Sequence, residues 1–446
     1  MRPRAEARSR PEETGRAGAR VGRVRPAAAA LVAGVWLSAA PAQEAPTAPV
    51  DLRMSSEVEP VQTLADDAPS LADSAPATRP TGIELRLSIG VEHSDNVRRA
   101  RVGRRAGTAL LVEPGVTASV AVGRHRLEAG YDGRWRDYPG GADTSRTEHR
   151  LHGEAALDIG RKLKARVRPS VELGHDPRGG LDTRIAQGDE PDRWRRRALL
   201  GEMVLGRRIS IAQIIGTVEL ADLVFINNQQ GLRDRDSLRL GLRGYWNVSP
   251  KLSWVADAGT TFIDFTDPAA IQDGTATQLQ GGVRWEATAQ TSGEVTVGLT
   301  SRRFDDPGID DFDGLGWQAS VVWEPRSYSK LRAYSARDTL ESSDPASGAL
   351  VNQRYGLRWT HAFSERWRLD TGAEVDLAEF GDTRDDRLWR FDAAIGWRLA
   401  RWLEASVGYA FEKRDSDLAA AEYRENRLML LLRARFEPVL GSAAAQ

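Results

Sequence analysis

The chain has 446 residues, no cysteine and a formal net charge of −1, and its mean hydropathy is −0.45. The lack of cysteine excludes a disulfide framework, a thiol nucleophile and a cysteine metal site. The low hydropathy excludes a helical membrane protein but not a membrane β-barrel, in which only alternate residues face lipid.

Residues 1–42 have the pattern of a secretory signal peptide. Arginines are frequent up to residue 25, residues 27–40 (AAAALVAGVWLSAA) are apolar, and Ala40-Pro41-Ala42 supplies small residues for cleavage. An uncleaved membrane anchor is the alternative, but an anchor needs about 20 apolar residues. Residues 1–42 contain eight arginines and three glutamates, so their removal changes the formal net charge from −1 to −6. That charge argues against nucleic acid as a partner.

Residues 43–81 are rich in Ala, Pro, Asp, Ser and Glu and show no periodicity. This composition predicts a disordered segment, here a periplasmic leader. The leader is either a solvated tail or the part of the chain that binds a periplasmic partner. Residues 438–446 form a short tail at the other end.

From residue 82 to Phe436, apolar and polar residues alternate. The clearest hairpin is 352–380, where Tyr355, Leu357 and Trp359 alternate with charged or small residues, so that each strand has one apolar and one polar face. Each run has roughly 12 residues, more than the about 5–6 of a typical globular strand and enough to cross a bilayer at a tilt. The sequence therefore predicts an all-β fold, a transmembrane antiparallel up-and-down β-barrel of about 18 strands (16–18), at residues 82–437.

The predicted connections alternate in length. Short turns near residues 123, 160, 206, 249, 289, 326, 364 and 400 alternate with longer polar loops such as 305–314. Short periplasmic turns and longer extracellular loops are typical of bacterial outer-membrane barrels. One run, 209–225, changes phase near Gln213–Ile215, which predicts a β-bulge.

Tryptophan gives a second indication of a membrane barrel. Eight of the 13 tryptophans lie close to a predicted short turn: Trp246, Trp254, Trp285, Trp323, Trp359, Trp367, Trp397 and Trp402. Aromatic rings prefer the membrane–water interface, so these residues should form a girdle at the periplasmic rim. The turn spacing also resembles a propeller repeat, but a propeller blade of about 40 residues holds four short strands. Each repeat here holds two long ones.

The polar face of the strands is the candidate lumen wall. Its candidate lumen-lining residues are Arg86, Arg134, Arg168, Arg243, Arg284, Arg358, Arg398 and Arg433. These side chains either line a hydrated path for anionic or hydroxyl-rich solutes or form a ladder of cross-strand ion pairs that stiffens the wall. Barrels of about 16–18 strands are wide enough for an aqueous channel unless a loop plugs them.

Motifs for catalysis or metal binding are weak. His149 and His152 are three apart, so on a strand they point to opposite faces and cannot share a metal. The acidic loop 305–313 offers carboxylates for calcium but lacks the EF-hand spacing and its terminal glutamate, and a solvated loop is the simpler interpretation. No nucleophile–base set or glycine-rich phosphate loop stands out. We therefore name no catalytic, metal or cofactor residue and expect the protein not to be an enzyme.

Residues 90–97 (GVEHSDNV) follow the first predicted strand and resemble the G-x-x-y-D-N-v start of the Putative beta-barrel porin 2 family. Pro114-Gly115, residues 123–127 (GRHRL) and residues 131–138 extend the resemblance. Some members of that family are encoded beside exopolysaccharide and PEP-CTERM genes, so the resemblance implies export of a glycan. One departure is the C-terminus, because such barrels usually end on an aromatic residue and here Phe436 is followed by residues 437–446.

Two functions follow from the sequence. The first is a porin-like conduit in the cell outer membrane, which exports exopolysaccharide if the resemblance extends to substrate. The alternative is a non-conducting structural or docking barrel that binds a periplasmic export protein through residues 43–81. Outer-membrane lipid is a partner in both, and cleavage of residues 1–42 precedes either.

Overall fold

The computed structural model describes residues 81–139, 145–180, 190–208, 210–340, 350–381 and 383–436. The predicted signal peptide, the leader up to residue 80 and the tail 438–446 lie outside the described residues and stay predictions.

The described residues form a single 18-stranded sheet. Its strands are β1 Gly82–Ser94, β2 Gly107–Val122, β3 His125–Asp137, β4 Arg146–Asp158, β5 Leu163–His175, β6 Arg193–Leu205, β7 Ala212–Phe225, β8 Arg235–Ser249, β9 Leu252–Phe265, β10 Gly274–Thr288, β11 Thr291–Phe304, β12 Phe312–Arg326, β13 Ser329–Leu340, β14 Leu350–Ala362, β15 Trp367–Phe380, β16 Arg384–Ala400, β17 Leu403–Ser416 and β18 Tyr423–Phe436. Two single-turn 3₁₀ segments, Gly231–Arg233 and Ala419–Ala421, lie in loops. No helix in the described part of the chain has the length and apolar composition needed to cross a membrane.

The sheet closes on itself because the first and last strands pair. Each strand is antiparallel to its sequence neighbours, and β1 pairs with β2 on one side and with β18 on the other. The β1–β18 register runs from Leu85 opposite Phe436 to Ser94 opposite Arg427. A closed barrel leaves no strand edge exposed, which is a requirement for a sheet that spans lipid. The predicted all-β, up-and-down barrel of about 18 strands is confirmed.

The connections have the predicted alternation. Turns of two to six residues join β2–β3, β4–β5, β6–β7, β8–β9, β10–β11, β12–β13, β14–β15 and β16–β17. They lie at the end of the barrel where β1 begins and β18 finishes, which we call the short-turn end. The other connections lie at the long-loop end and include residues 95–106 and 226–234.

The two faces of each strand differ in polarity. On β16 the outward side chains Trp389, Phe391, Ile395, Trp397 and Leu399 are 41–47% exposed, and a continuous apolar surface of this kind is typical of a face that contacts lipid. Ten steps of about 3.3 Å along the strand, at a tilt of about 40°, span roughly 25 Å. That height equals the roughly 25 Å apolar band of outer-membrane barrels.

The eight tryptophans near short turns lie on this outward face, and six of them are 41–60% exposed: Trp246, Trp254, Trp323, Trp367, Trp397 and Trp402. Trp367 stacks on Trp397 with ring centroids 5.4 Å apart, and Trp402 stacks on Phe436 at 5.3 Å. Trp359 donates from Nε1 to Ser329 Oγ at 3.1 Å. The predicted girdle at the short-turn end is present.

The predicted β-bulge near Gln213–Ile215 is wrong. β7 begins at Ala212, and its pairing with β6 and β8 continues without a register shift. The sequence suggests a change in the apolar–polar alternation because the adjacent residues Ile214 and Ile215 are both apolar. Ile214 points outward, whereas Ile215 points inward and packs in a buried cluster with Val204, Tyr245 and Val255.

Candidate functional site

The inward face of the barrel holds all eight arginines named from the sequence. Arg86, for example, alternates with Leu85 and Leu87, which are 45% and 39% exposed on the outer face. Arg398 alternates with Trp397 and Leu399 in the same way. The same alternation places Arg134, Arg168, Arg243, Arg284, Arg358 and Arg433 inward.

Arg86, Arg134, Arg243 and Arg358 form ion pairs across strands. Arg86 lies 2.7 Å from Asp132, and Arg358 lies 3.1 Å from Asp392. Arg134 on β3 bridges Glu113 on β2 and Glu148 on β4, each at 3.0 Å. Arg243 on β8 contacts Asp257 on β9 and lies 3.3 Å from Glu294 on β11. The ladder of cross-strand ion pairs is therefore real at these positions.

The neighbours of Arg168, Arg284, Arg398 and Arg433 are as follows. The guanidinium of Arg284 lies 3.9 Å from the centre of the Tyr245 ring. Glu404 faces Arg398 on one neighbouring strand and Arg433 on the other. Arg168 lies opposite Leu200 on β6.

Side-chain exposure differs strongly between the inward charges. The side chains of Arg150 and Arg86 are 53% and 37% exposed, whereas those of Arg166 and Asp370, toward the short-turn end, are 6% and 4% exposed. At the long-loop end, the side chains of Arg414 and Glu412 are 2% and 3% exposed. The charges around Arg414 and Glu412 are thus packed by protein.

Much of this packing comes from residues 176–180, which follow β5. Arg99 Nη1 donates to Arg178 O at 2.6 Å, and the Tyr423 hydroxyl donates to Gly179 O at 2.8 Å. Arg414 Nη1 donates to Gly180 O at 3.1 Å. A segment that leaves the wall at β5 therefore reaches inward to β17, β18 and the β1–β2 loop.

Arg99 is the central cation of this cluster. It lies 2.8 Å from Glu425 and 3.2 Å from Glu412, and its own side chain is 2% exposed. Burial disfavours its charged form, but Glu412, Tyr423 and Glu425 outweigh burial and raise the pKa of Arg99 well above its usual range. The guanidinium stays charged and holds two buried carboxylates in place.

Sequence reasoning missed Arg99 and Arg414. The alternation of β17 places Arg414 on the inward face, and that was an available signal. Arg99 lies in a loop, where strand periodicity gives no information. Its backbone φ of +50° is unusual for a non-glycine residue and helps to turn its side chain into the cluster.

The GVEHSDNV motif joins the two ends of the ring. Ser94 Oγ donates to Glu425 at 2.6 Å, and Asn96 Nδ2 donates to Arg424 O at 2.9 Å. Both bonds connect the long-loop end of β1 to the long-loop end of β18. The motif therefore has a structural role at the β1–β18 seam.

The structure places the two histidines of the weak motif on opposite faces of the wall. His149 points outward beside Tyr131 and Trp135, and His152 points inward 3.6 Å from Asp132. In the acidic loop, Asp311 accepts the Phe304 N–H at 3.0 Å. No group of three His, Asp or Glu side chains within the described ranges is placed to hold a metal ion.

Solved barrels resemble this fold at low sequence identity. Acinetobacter baumannii OccAB2 has a TM-score of 0.46 and 10% identity, over 80% of this chain and 98% of that one. Pseudomonas aeruginosa OpdO has a TM-score of 0.46 and 13% identity, over 80% and 97%. A bacterial polysaccharide outer membrane secretin has a TM-score of 0.36 and 11% identity, over 80% and 99%. Among curated proteins there is no match.

The family comparison is decisive because it covers the whole described barrel. The model of the Putative beta-barrel porin 2 family matches residues 83–436, from β1 to the last residue of β18. The chain belongs to the Putative beta-barrel porin 2 family.

Proposed function

We propose that this outer-membrane barrel is a passive conduit for hydroxyl-rich or anionic solutes, with exopolysaccharide as the exported class. The observation that carries the proposal is a closed 18-stranded wall with an apolar outer face and a charged inner face. Rings of about 16–18 strands are wide enough to enclose water. Exopolysaccharide itself comes from the resemblance of residues 90–97 to the family and is the finer part of the proposal.

Arginine suits such solutes. Its five N–H donors bind carboxylates and hydroxyl oxygens, and its charge does not depend on physiological pH. The carboxylates of Asp132 and Asp392 balance two of the inward arginines, so the lining carries charges of both signs. A mixed lining of this kind favours passage of hydrated, weakly charged chains over tight binding.

Planar-bilayer recording of the purified protein tests the conduit. We expect stable single-channel steps, and we expect heat-unfolded protein to give none. A correctly folded barrel that inserts and stays silent contradicts the proposal. Glycan export is tested separately by deleting the gene and measuring polysaccharide outside the cell.

One observation favours the second candidate, a non-conducting docking barrel. Residues 176–180 are held inside the long-loop end by Arg99, Arg414 and Tyr423. In that case the leader, residues 43–81, binds a periplasmic export protein. Deletion of residues 43–81 would then abolish export while the barrel still assembles, whereas a simple conduit would keep exporting.

The route to the outer membrane is also part of the proposal. Residues 1–42 are removed as a signal peptide, so the mature chain begins at Gln43. N-terminal sequencing of the membrane-inserted protein tests this, and a chain that still contains residues 27–40 contradicts it.

A further inference from the structure

The connections at the two ends of the barrel differ in charge. In the sequence, the short turns contain eight basic residues and one acid, Glu365, whereas the connections at the long-loop end contain nineteen acidic and eight basic residues. The molecule is therefore polar along its axis, with its positive end where the chain enters the ring. We call the basic residues of the short turns the basic rim: Arg124, Arg161, Lys162, Arg207, Arg208, Lys251, Arg366 and Arg401.

The cations of the basic rim face solvent, and most of them have no acidic partner. All eight residues are exposed. Apart from Arg208 and Arg401, none of them has a carboxylate within 4.0 Å among the residues that the structure describes. The lumen wall differs, because Arg86, Arg134 and Arg358 each contact a carboxylate there. The rim thus presents positive charge that the protein itself does not neutralise.

The turn between β6 and β7 shows that the rim reaches the lumen entrance. Asn247 and Glu286 are on the inner face, because the neighbouring Trp246 and Trp285 are on the outer one. Asn247 Nδ2 donates to Arg208 O at 2.7 Å, and the Arg208 guanidinium contacts Glu286. The turn therefore leans over the inner faces of β8 and β10, and its cations lie beside the entrance.

The spacing of the basic turns suits a long anion better than a small one. Neighbouring short turns are two strands apart, which is about 10 Å at the usual strand separation. Six of the eight turns contain a basic residue, and they follow one another around the ring from β14–β15 through the β1–β18 seam to β8–β9. A small anion reaches one turn, whereas a chain with repeated carboxylates contacts several turns at once and gains affinity from each.

We propose that the basic rim binds a polyanionic glycan, a polysaccharide with a carboxylate on most of its sugar units, at the periplasmic entrance of the barrel. This inference rests on the proposed conduit and narrows its substrate class to polyanions. Positive charge around an entrance raises the local concentration of such a chain and its rate of association. The lumen lining carries charges of both signs and lets the bound chain move on. The acidic excess at the long-loop end then favours its release.

Binding is measured on the purified protein in phosphatidylcholine nanodiscs, which leave both ends of the barrel accessible. The probe is fluorescently labelled polygalacturonate, and neutral dextran of the same length is the comparison. The test variant is R124Q/R161Q/K162Q. Its matched control is R98Q/R104Q/R105Q, which removes three exposed positive charges from the loop between β1 and β2 at the opposite end.

We expect the wild type and the control to bind polygalacturonate and not dextran. The test variant should bind polygalacturonate about fivefold more weakly or worse, and its Kd should depend less on salt, because three exposed cations are lost. Equal weakening in both variants overturns the proposal, because total charge and not the rim then decides binding. Wild-type protein that binds dextran as tightly as polygalacturonate overturns it as well.

Anionic lipid headgroups are the competing occupant of the basic rim. Binding of phosphatidylglycerol to the same variants is measured by native mass spectrometry. A test variant that keeps polygalacturonate and loses phosphatidylglycerol shows that the rim binds lipid and overturns the proposal. A test variant that loses polygalacturonate and keeps phosphatidylglycerol supports it.

Bilayer recording of the wild type separates this inference from the conduit. A protein that conducts but does not bind polygalacturonate refutes the role of the basic rim and leaves the conduit standing. A protein that binds polygalacturonate through the rim but does not conduct refutes the conduit, and the rim remains a binding surface for the glycan.

Discussion

Asp95 and Asn426 form a two-way contact across the seam that closes the barrel. The Asp95 N–H donates to Asn426 O at 3.1 Å, and the Asp95 carboxylate accepts the Asn426 N–H at 2.7 Å and its Nδ2 at 2.5 Å. The carboxylate thus accepts hydrogen bonds from two donors at the long-loop end of β18. This contact gives Asp95 of the GVEHSDNV motif a physical function in closure.

Substitution of Asp95 should weaken the seam. Asp95→Ala removes the acceptor for two donors and should lower the free energy of unfolding by about 1–3 kcal/mol. Asp95→Asn keeps one acceptor oxygen and should cost less. Urea titration in detergent micelles measures both, with Asp310→Ala in an exposed loop as the control. Equal stability of Asp95→Ala and the control would contradict the seam assignment.

Loss of Arg99 should be more severe. Arg99→Ala leaves Glu412 and Glu425 buried without their shared cation, and such losses cost about 3–5 kcal/mol. Hydrogen exchange at residues 178–180 should also accelerate. Arg101→Ala is the control, because Arg101 is in the same loop but its ion pair with Glu422 is exposed and worth about 1 kcal/mol or less. Similar effects of the two substitutions would contradict the role of Arg99 in stabilising the buried carboxylates.

Asp176 should make stability depend on pH. Burial raises its pKa, although Arg233 at 2.8 Å opposes the shift. The folded state therefore takes up a proton at higher pH than the unfolded state, so this group adds stability as pH falls through its folded pKa. The unfolding free energy of the wild type relative to Asp176→Asn should rise between pH 7 and pH 4. A flat or falling difference would be inconsistent with the raised pKa.

Ion selectivity should respond to inward charges alone. Arg150 points inward and Arg197 points outward, and both side chains are 53% exposed. If the barrel conducts, Arg150→Gln should shift the reversal potential in a KCl gradient toward cation preference, because the lumen loses a positive charge. Arg197→Gln should leave it unchanged. A shift in both variants, or in neither, would refute the assignment of the two faces as a hydrated lumen and a lipid or solvent surface.

The stacked pair Trp367–Trp397 should couple energetically. The rings are 5.4 Å apart and almost parallel on the outer face, and aromatic pairs contribute about 0.5–1.5 kcal/mol beyond burial. A double-mutant cycle to alanine in lipid bilayers should give a coupling in this range. The distant pair Trp323 and Trp397 should give none. Absence of coupling in the first cycle would mean that lipid, and not ring contact, positions these side chains.

Much of the barrel could be predicted from the sequence because the alternation along a strand depends only on neighbouring residues. Period-2 alternation assigns each side chain a face, so it placed all eight arginines inward and the eight tryptophans near short turns outward. The alternation failed at Gln213–Ile215, where an inward isoleucine packs against Val204, Tyr245 and Val255 from other strands. Local pattern cannot distinguish a register change from an apolar cluster inside the lumen.

Local pattern also could not predict the partners of the inward residues. Arg99 and Glu425 are separated by 326 positions, and no periodicity relates a loop residue to a strand that distant. The end of the β12–β13 ladder at Trp317 opposite Arg337 is equally unmarked in the sequence.

The pairing of β1 with β18 also means that the strand at which the polypeptide enters the ring is arbitrary. Leu85 stands opposite Phe436, so the two chain ends of the sheet are side by side. Joined there by a tight turn and opened in any loop at the other end, the same eighteen strands would make the same cylinder by a circular permutation. In the natural order, closure is the least local step, because it brings together segments more than 300 residues apart, and its entropic cost grows only logarithmically with that distance.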